Sequence, residues 1–305
     1  MAVRERVAEL RNWLERLLLW RVWERMLEME FVDRGVALAG KAFVSFFPLT
    51  IVVAAFLPEG MRESIVKAIT VRFGLRGDAL DLVQQSFASS DDLKKATGLL
   101  GLTFTVLFAT SFTTALQRVY LRAWRRPPRG GLDKYWRGPL CLALALGAMA
   151  LLGGIGKRID GPVGVSTVVV LALVITAGVW LFVPWILLRG DVRLRVLVPT
   201  AVVTSVITLI YSGSASVWMP ETVTSNEAQF GLFGVALALV SWFSGAAICI
   251  LIGACVGPVL AEDTGWFGDL VRGPAAALNP GAEPSLPAPS RELTLRDAFQ
   301  GTDEP

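Results

Sequence analysis

Long stretches without a single charged residue constrain this chain more than any other feature. Thr97 to Gln117, Gly138 to Gly156, Gly161 to Leu188, Val196 to Pro220 and Ala228 to Ala261 contain no Asp, Glu, Lys or Arg, and Val36 to Leu57 contains one, Lys41. A hydrocarbon core about 30 Å thick is crossed by roughly 20 helical residues rising 1.5 Å each, so every one of these runs suffices for one crossing. Hydrophobic residues make up 53% of the 305 positions, more than a soluble domain of this length can bury. The excess must face lipid. The runs are continuous rather than alternating, which favours helices over barrel strands. The expected fold is all-α: a polytopic membrane bundle of six transmembrane helices over residues 36–261.

The flanking segments differ sharply in composition. Residues 1–35 form a charged cytoplasmic leader, unlike a cleavable signal peptide with its short basic start. Within it, Val7, Leu10, Leu14 and Leu17 share one stripe of a helix, with Trp13 and Trp20 beside them. Such an amphipathic helix suits the membrane surface, and it equally suits packing on the bundle as a cytosolic helix. Residues 58–96 carry charges of both signs and cannot enter lipid; two amphipathic helices there would make an external insert. Residues 262–305 form a cytoplasmic tail, rich in Pro and Ala beyond Gly273, with too few apolar residues to offset the entropy of ordering.

Orientation follows from the short loops. The loop after the second span holds Arg118, Arg122, Arg125, Arg126, Arg129, Lys134 and Arg137, and the loop after the fourth adds Arg189, Arg193 and Arg195. On the opposite side stand only Lys157 and Arg158 in the corresponding short loops. Both termini are therefore expected in the cytoplasm. Arg122, Arg125 and Arg126 are candidates for contact with anionic lipid.

Enzyme chemistry finds little to work with. The chain has no histidine, which removes the commonest general base and metal ligand together. Cys141, Cys249 and Cys255 all lie in apolar runs, where a buried thiol is the ordinary role. No catalytic residue, metal site or cofactor is expected, and no nucleotide-binding glycine loop occurs. No span contains a carboxylate, so a proton or sodium relay of the Asp or Glu type lacks a seat.

Polar residues inside the spans are the natural candidates for a groove or pathway. Lys41 is the only Lys, Arg, Asp or Glu in a span; its four methylenes can lift the ammonium to the head groups, or it can contact a lipid phosphate. Ser45 follows one turn later, and Pro48 removes a backbone donor in mid-span. Thr103, Thr110, Thr114 and Gln117 form one helical stripe in the second span, and Thr200, Thr204, Thr208 and Tyr211 form another in the fifth. Such stripes serve helix packing or line a polar groove. Gly253 and Gly257, spaced as GxxxG, point to close helix contact.

The run Ala39-Gly40-Lys41-Ala42-Phe43-Val44-Ser45-Phe46-Phe47-Pro48-Leu49 resembles the first-span signature of the YihY/BrkB family of bacterial inner-membrane proteins. Thr114-Ala115-Leu116-Gln117-Arg118-Val119-Tyr120 with Trp124, Phe230-Gly231, and Ile252-Gly253-Ala254 are similar to later landmarks of that family, and the likeness runs from about residue 30 to 262. The resemblance implies six helices with both termini inside the bacterial plasma membrane. Members have carried ribonuclease and virulence labels, and export or envelope-lipid roles have been proposed for them. Phe43 stands where the family favours Tyr, and Cys255 where many members have Glu, which leaves a family role for an intramembrane carboxylate without its residue here. Hydrolysis of RNA would need clustered histidines or carboxylates that the sequence lacks, so no nucleic-acid partner is expected. The reading is a transporter or exporter of a lipid or amphipathic envelope molecule, with membrane lipids as partners. The alternative is a structural or regulatory envelope scaffold, with protein partners or a second copy of the chain.

Overall fold

A computed structural model describes residues 18–56, 90–127, 134–156 and 162–263, together with Gly268 and Val271. Most of the expected leader, most of the external insert and most of the tail lie outside the described residues. Seven helices and no strand occur among the described residues: α1 (Leu18–Glu28), α2 (Phe31–Phe56), α3 (Ser90–Ala123), α4 (Lys134–Gly156), α5 (Pro162–Leu187), α6 (Leu194–Phe230) and α7 (Leu232–Ala261). Three of them contain stretches long and apolar enough to cross a membrane: Ser166–Leu187, Leu194–Phe230 and Phe233–Ala261.

The helices close a ring in chain order. Each of α2 to α6 packs on its successor, and α7 packs back on α2, while α1 lies against α7. The main core fills one end of this ring, where Leu38, Tyr120, Leu187, Leu197 and Leu251 are almost fully buried and come from five different helices. A smaller core of Ala215, Met219, Val223 and Ala238 holds the far end of the α6–α7 hairpin.

That hairpin differs from the expected loop over residues 221–227. Glu221 and Glu227 lie within α6, which continues to Phe230, and the reversal is made at Gly231 with φ +59°. At 1.5 Å per residue, 37 residues extend about 55 Å, well beyond a 30 Å hydrocarbon core. Carboxylates exclude the last turns from hydrocarbon without excluding helix. Close approach then fixes Gly234, because a Cβ there would overlap the Asn226 carbonyl.

The other end is gathered by arginines. Arg25 is 5% exposed, donates to the Ala123 carbonyl at 3.1 Å and pairs with Glu262, while Arg21 pairs with Asp263 at 2.7 Å. Arg21 also donates to the Val259 carbonyl at 3.3 Å. Cations from α1 therefore satisfy terminal carbonyls of α3 and α7, the negative ends of both helix dipoles. Arg125 at φ +48° and Arg189 at φ +61° occupy the left-handed position that ends α3 and α5. Their neighbours close the terminal turns, with the Arg126 amide on the Leu121 carbonyl at 2.8 Å and the Gly190 amide on the Trp185 carbonyl at 3.0 Å. These contacts gather the leader helix and the ends of α3, α5 and α7 on one side of the ring.

Candidate functional site

Between α2 and α3 the ring leaves a groove of about 400 Å³. Ala37, Gly40, Lys41, Val44 and Ser45 line it from α2, and Phe108 and Ser111 from α3. The α2 positions recur at three and four residues, so they form a single helical face. Small residues keep that face shallow: a Cβ built on Gly40 would meet nothing within 4 Å.

Two hydroxyls tie the groove walls together. Ser45 Oγ lies 2.6 Å from the Lys41 carbonyl and 3.1 Å from the Phe108 carbonyl, so its one proton is shared between its own helix and α3. Thr105 Oγ1 donates to the Pro48 carbonyl at 3.2 Å. The helix runs through Pro48 without a break. Stepping from Ser45 to Pro48 on α2 thus moves from Phe108 back to Thr105 on α3, an antiparallel register that sets Lys41 beside Ser111. Lys41 is half-buried and has no ion pair among the described residues. It sits ten residues after Phe31, or roughly 15 Å along the helix.

The remaining expected pathway residues are dispersed. Thr110 is buried and donates to the Val106 carbonyl at 2.7 Å. Its backbone faces α4, where a Cβ on Gly138 would stand 3.1 Å from Thr110 Cα and 2.8 Å from Thr113 Oγ1. Thr114 donates back to the Thr110 carbonyl at 2.6 Å, and Gln117 Nε2 reaches the Leu187 carbonyl at 2.9 Å, linking α3 to the end of α5.

On α6, Thr204 is fully buried against Gly253 of α7, whose Cβ would overlap its hydroxyl and stand 3.0 Å from its Cα. Gly257 meets Thr200 in the same way one turn later. Thr208 donates to the Thr204 carbonyl at 2.6 Å, and Tyr211 donates to the Trp242 carbonyl at 3.0 Å above Gly245. The structure therefore brings Lys41 and Ser45 together in the groove, with Pro48 just beyond them, and sets Thr204 and Tyr211 in the α6–α7 seam.

Sequence reasoning passed over Ala37, Gly40, Val44, Phe108 and Ser111. The small-residue face of α2 was a usable signal for the first two. It also passed over the arginine clamp, although Arg21 and Arg25 are one turn apart and Glu262-Asp263 directly follows the last apolar run. Among the basic-loop residues, Arg122 is exposed, Arg126 is half-buried, and Arg125 pairs with Glu28 of α1 at 2.8 Å. No group of three or more His, Cys, Asp or Glu able to hold a metal ion occurs among the described residues. The three cysteines are free and buried.

Three helices long and apolar enough to cross a membrane, with many large apolar side chains exposed along them, mark a helical integral membrane protein. The family described as Virulence factor BrkB matches residues 22–267, and the chain belongs to that family. The matched region begins on α1 at Val22 and includes Arg25 and Glu262 of the clamp, the groove and the α6–α7 seam. No curated protein and no solved structure matches the chain.

Proposed function

We propose that α2 to α7 cross the bacterial plasma membrane as six spans and move a lipid or another amphipathic envelope molecule along the α2–α3 groove. The groove carries this reading. It joins a half-buried cation to apolar walls, the combination that a molecule with a polar head and a greasy tail requires. The clamped end, with its arginine-rich loops, is the cytoplasmic one in this reading, as the excess of positive charge there favours. Residues 1–35 and 262–305 then lie in the cytoplasm and the 58–96 insert outside. No catalysis is assigned to the chain, and no nucleic acid is its partner.

Reconstituted in liposomes, the purified chain should accelerate exchange of a fluorescent phospholipid between leaflets well above protein-free vesicles. Exchange no faster than in empty vesicles would overturn transport. The scaffold alternative gains from a different observation: Leu19, Trp23 and Leu27 form an exposed apolar stripe on α1, beside the face that packs on the bundle. Recovery of a stable partner on that face, with no exchange activity, would favour it.

A further inference from the structure

Hydroxyls in α2 and α3 have a common fate. Ser45, Thr50, Thr105, Thr110, Thr113 and Thr114 each bond to a backbone carbonyl, as side chains in a low-dielectric setting must. Ser111 is different. It lines the groove and has no side-chain hydrogen bond among the described residues. Its neighbour across the groove, Lys41, likewise has no ion pair there. Two uncommitted donors thus stand at one level of a cavity that contains no carboxylate, while the Ser45 proton is already engaged by two carbonyls.

The groove is also polarised along its length. Because α2 and α3 run antiparallel, the steps from Lys41 to Val44 and from Ser111 to Phe108 lead in the same direction, away from the clamped end. Phe104, 51% exposed, continues that wall, its ring stacked on Phe108 at 6.3 Å between centroids. Donors lie at one end and apolar surface at the other, in the order of a lipid that enters from the clamped side.

We infer that the groove binds an anionic phospholipid, its phosphate held by the Lys41 ammonium and the Ser111 hydroxyl and its acyl chain laid along Val44, Phe108 and Phe104. This rests on the proposed transport reading only for its purpose, not for its geometry. A cation with no counter-charge among the described residues is costly in hydrocarbon, and a phosphate supplies both the charge and the acceptor oxygens that the two donors lack there.

Native mass spectrometry of the full chain in detergent tests this with phosphatidylglycerol, diacylglycerol and inorganic phosphate as probes. Phosphatidylglycerol should bind roughly tenfold or more tightly than diacylglycerol, the scale of one charge-assisted contact. Lys41→Met should abolish that preference without changing diacylglycerol binding, Ser111→Ala should reduce it about threefold, and Lys41→Arg should retain it. Inorganic phosphate should not compete. An unchanged preference in Lys41→Met, with the monodisperse elution of the parent chain, would overturn the inference. Displacement of the lipid by inorganic phosphate would overturn the lipid as ligand. Leaflet exchange, measured separately, distinguishes the failures: a Lys41-dependent preference without exchange sinks transport alone, and exchange without a Lys41-dependent preference sinks this assignment alone.

Discussion

The α6–α7 seam and the α2–α3 seam are both built from hydroxyl residues on antiparallel helices, yet one is sealed and the other open. On α6, Thr200 and Thr204 face Gly257 and Gly253, and the missing Cβ atoms let the backbones close until hydroxyl and helix touch. On α2, Gly40 and Ala37 face no matching partner, and the wall opposite is a phenylalanine and a serine. A small residue draws helices together only when something projects into it from across the interface; otherwise it leaves a groove. The same economy of side chain thus gives a strut in one place and a binding surface in the other.

The contrast is broken most forcefully by filling the sealed seam. Gly253→Leu must displace Thr204 and the α6 backbone behind it, and should destabilise the bundle by about 3 kcal/mol, near the upper end for overpacking. A large fall in the apparent Tm, followed by dye labelling of the three buried cysteines as they become accessible, would register it. Tyr211→Phe removes the bond to the Trp242 carbonyl while keeping the ring above Gly245, and should cost about 1 kcal/mol in the same assay. Gly40→Leu, placed where a Cβ meets nothing, should change stability least, within about 0.5 kcal/mol. That same variant should nevertheless suppress lipid exchange, since its side chain occupies the groove. A Gly40→Leu protein as unstable as Gly253→Leu would show that both seams are packed alike.

Much of this arrangement was written in the distribution of charge. Each charge-free run is helical over most of its described length, because a segment that must dissolve in hydrocarbon has to satisfy its own backbone, although the last run also contains the reversal at Gly231. The reverse inference is weaker. Glu221 and Glu227 mark where α6 leaves the apolar region and say nothing about where the helix ends, so the run to Phe230 was illegible from composition. Lys41 and Ser45 stood out as rare polar groups and do share a groove. Ser111 did not stand out, since a helical serine ordinarily bonds its own preceding turn, and only the surroundings decide whether it does. The threonine stripes had the same ambiguity: a period of three and four residues defines a face, but not the neighbour that the face meets. For Thr204 that neighbour was a glycine, recognisable beforehand as a contact residue whose partner was unknown. The clamp required pairing Arg25 with Glu262 across almost the whole chain, a relation that no local pattern encodes.

A phospholipid with a photoactivatable acyl chain, incorporated beside the full-length protein in a bilayer and crosslinked by light, reports directly which seam admits lipid. Adducts should concentrate on Val44, Phe104 and Phe108 and spare Thr204 and Gly253. Adducts at the α6–α7 seam, or a uniform scatter over every outward-facing apolar residue, would contradict the assignment of α2 and α3 as the open pair.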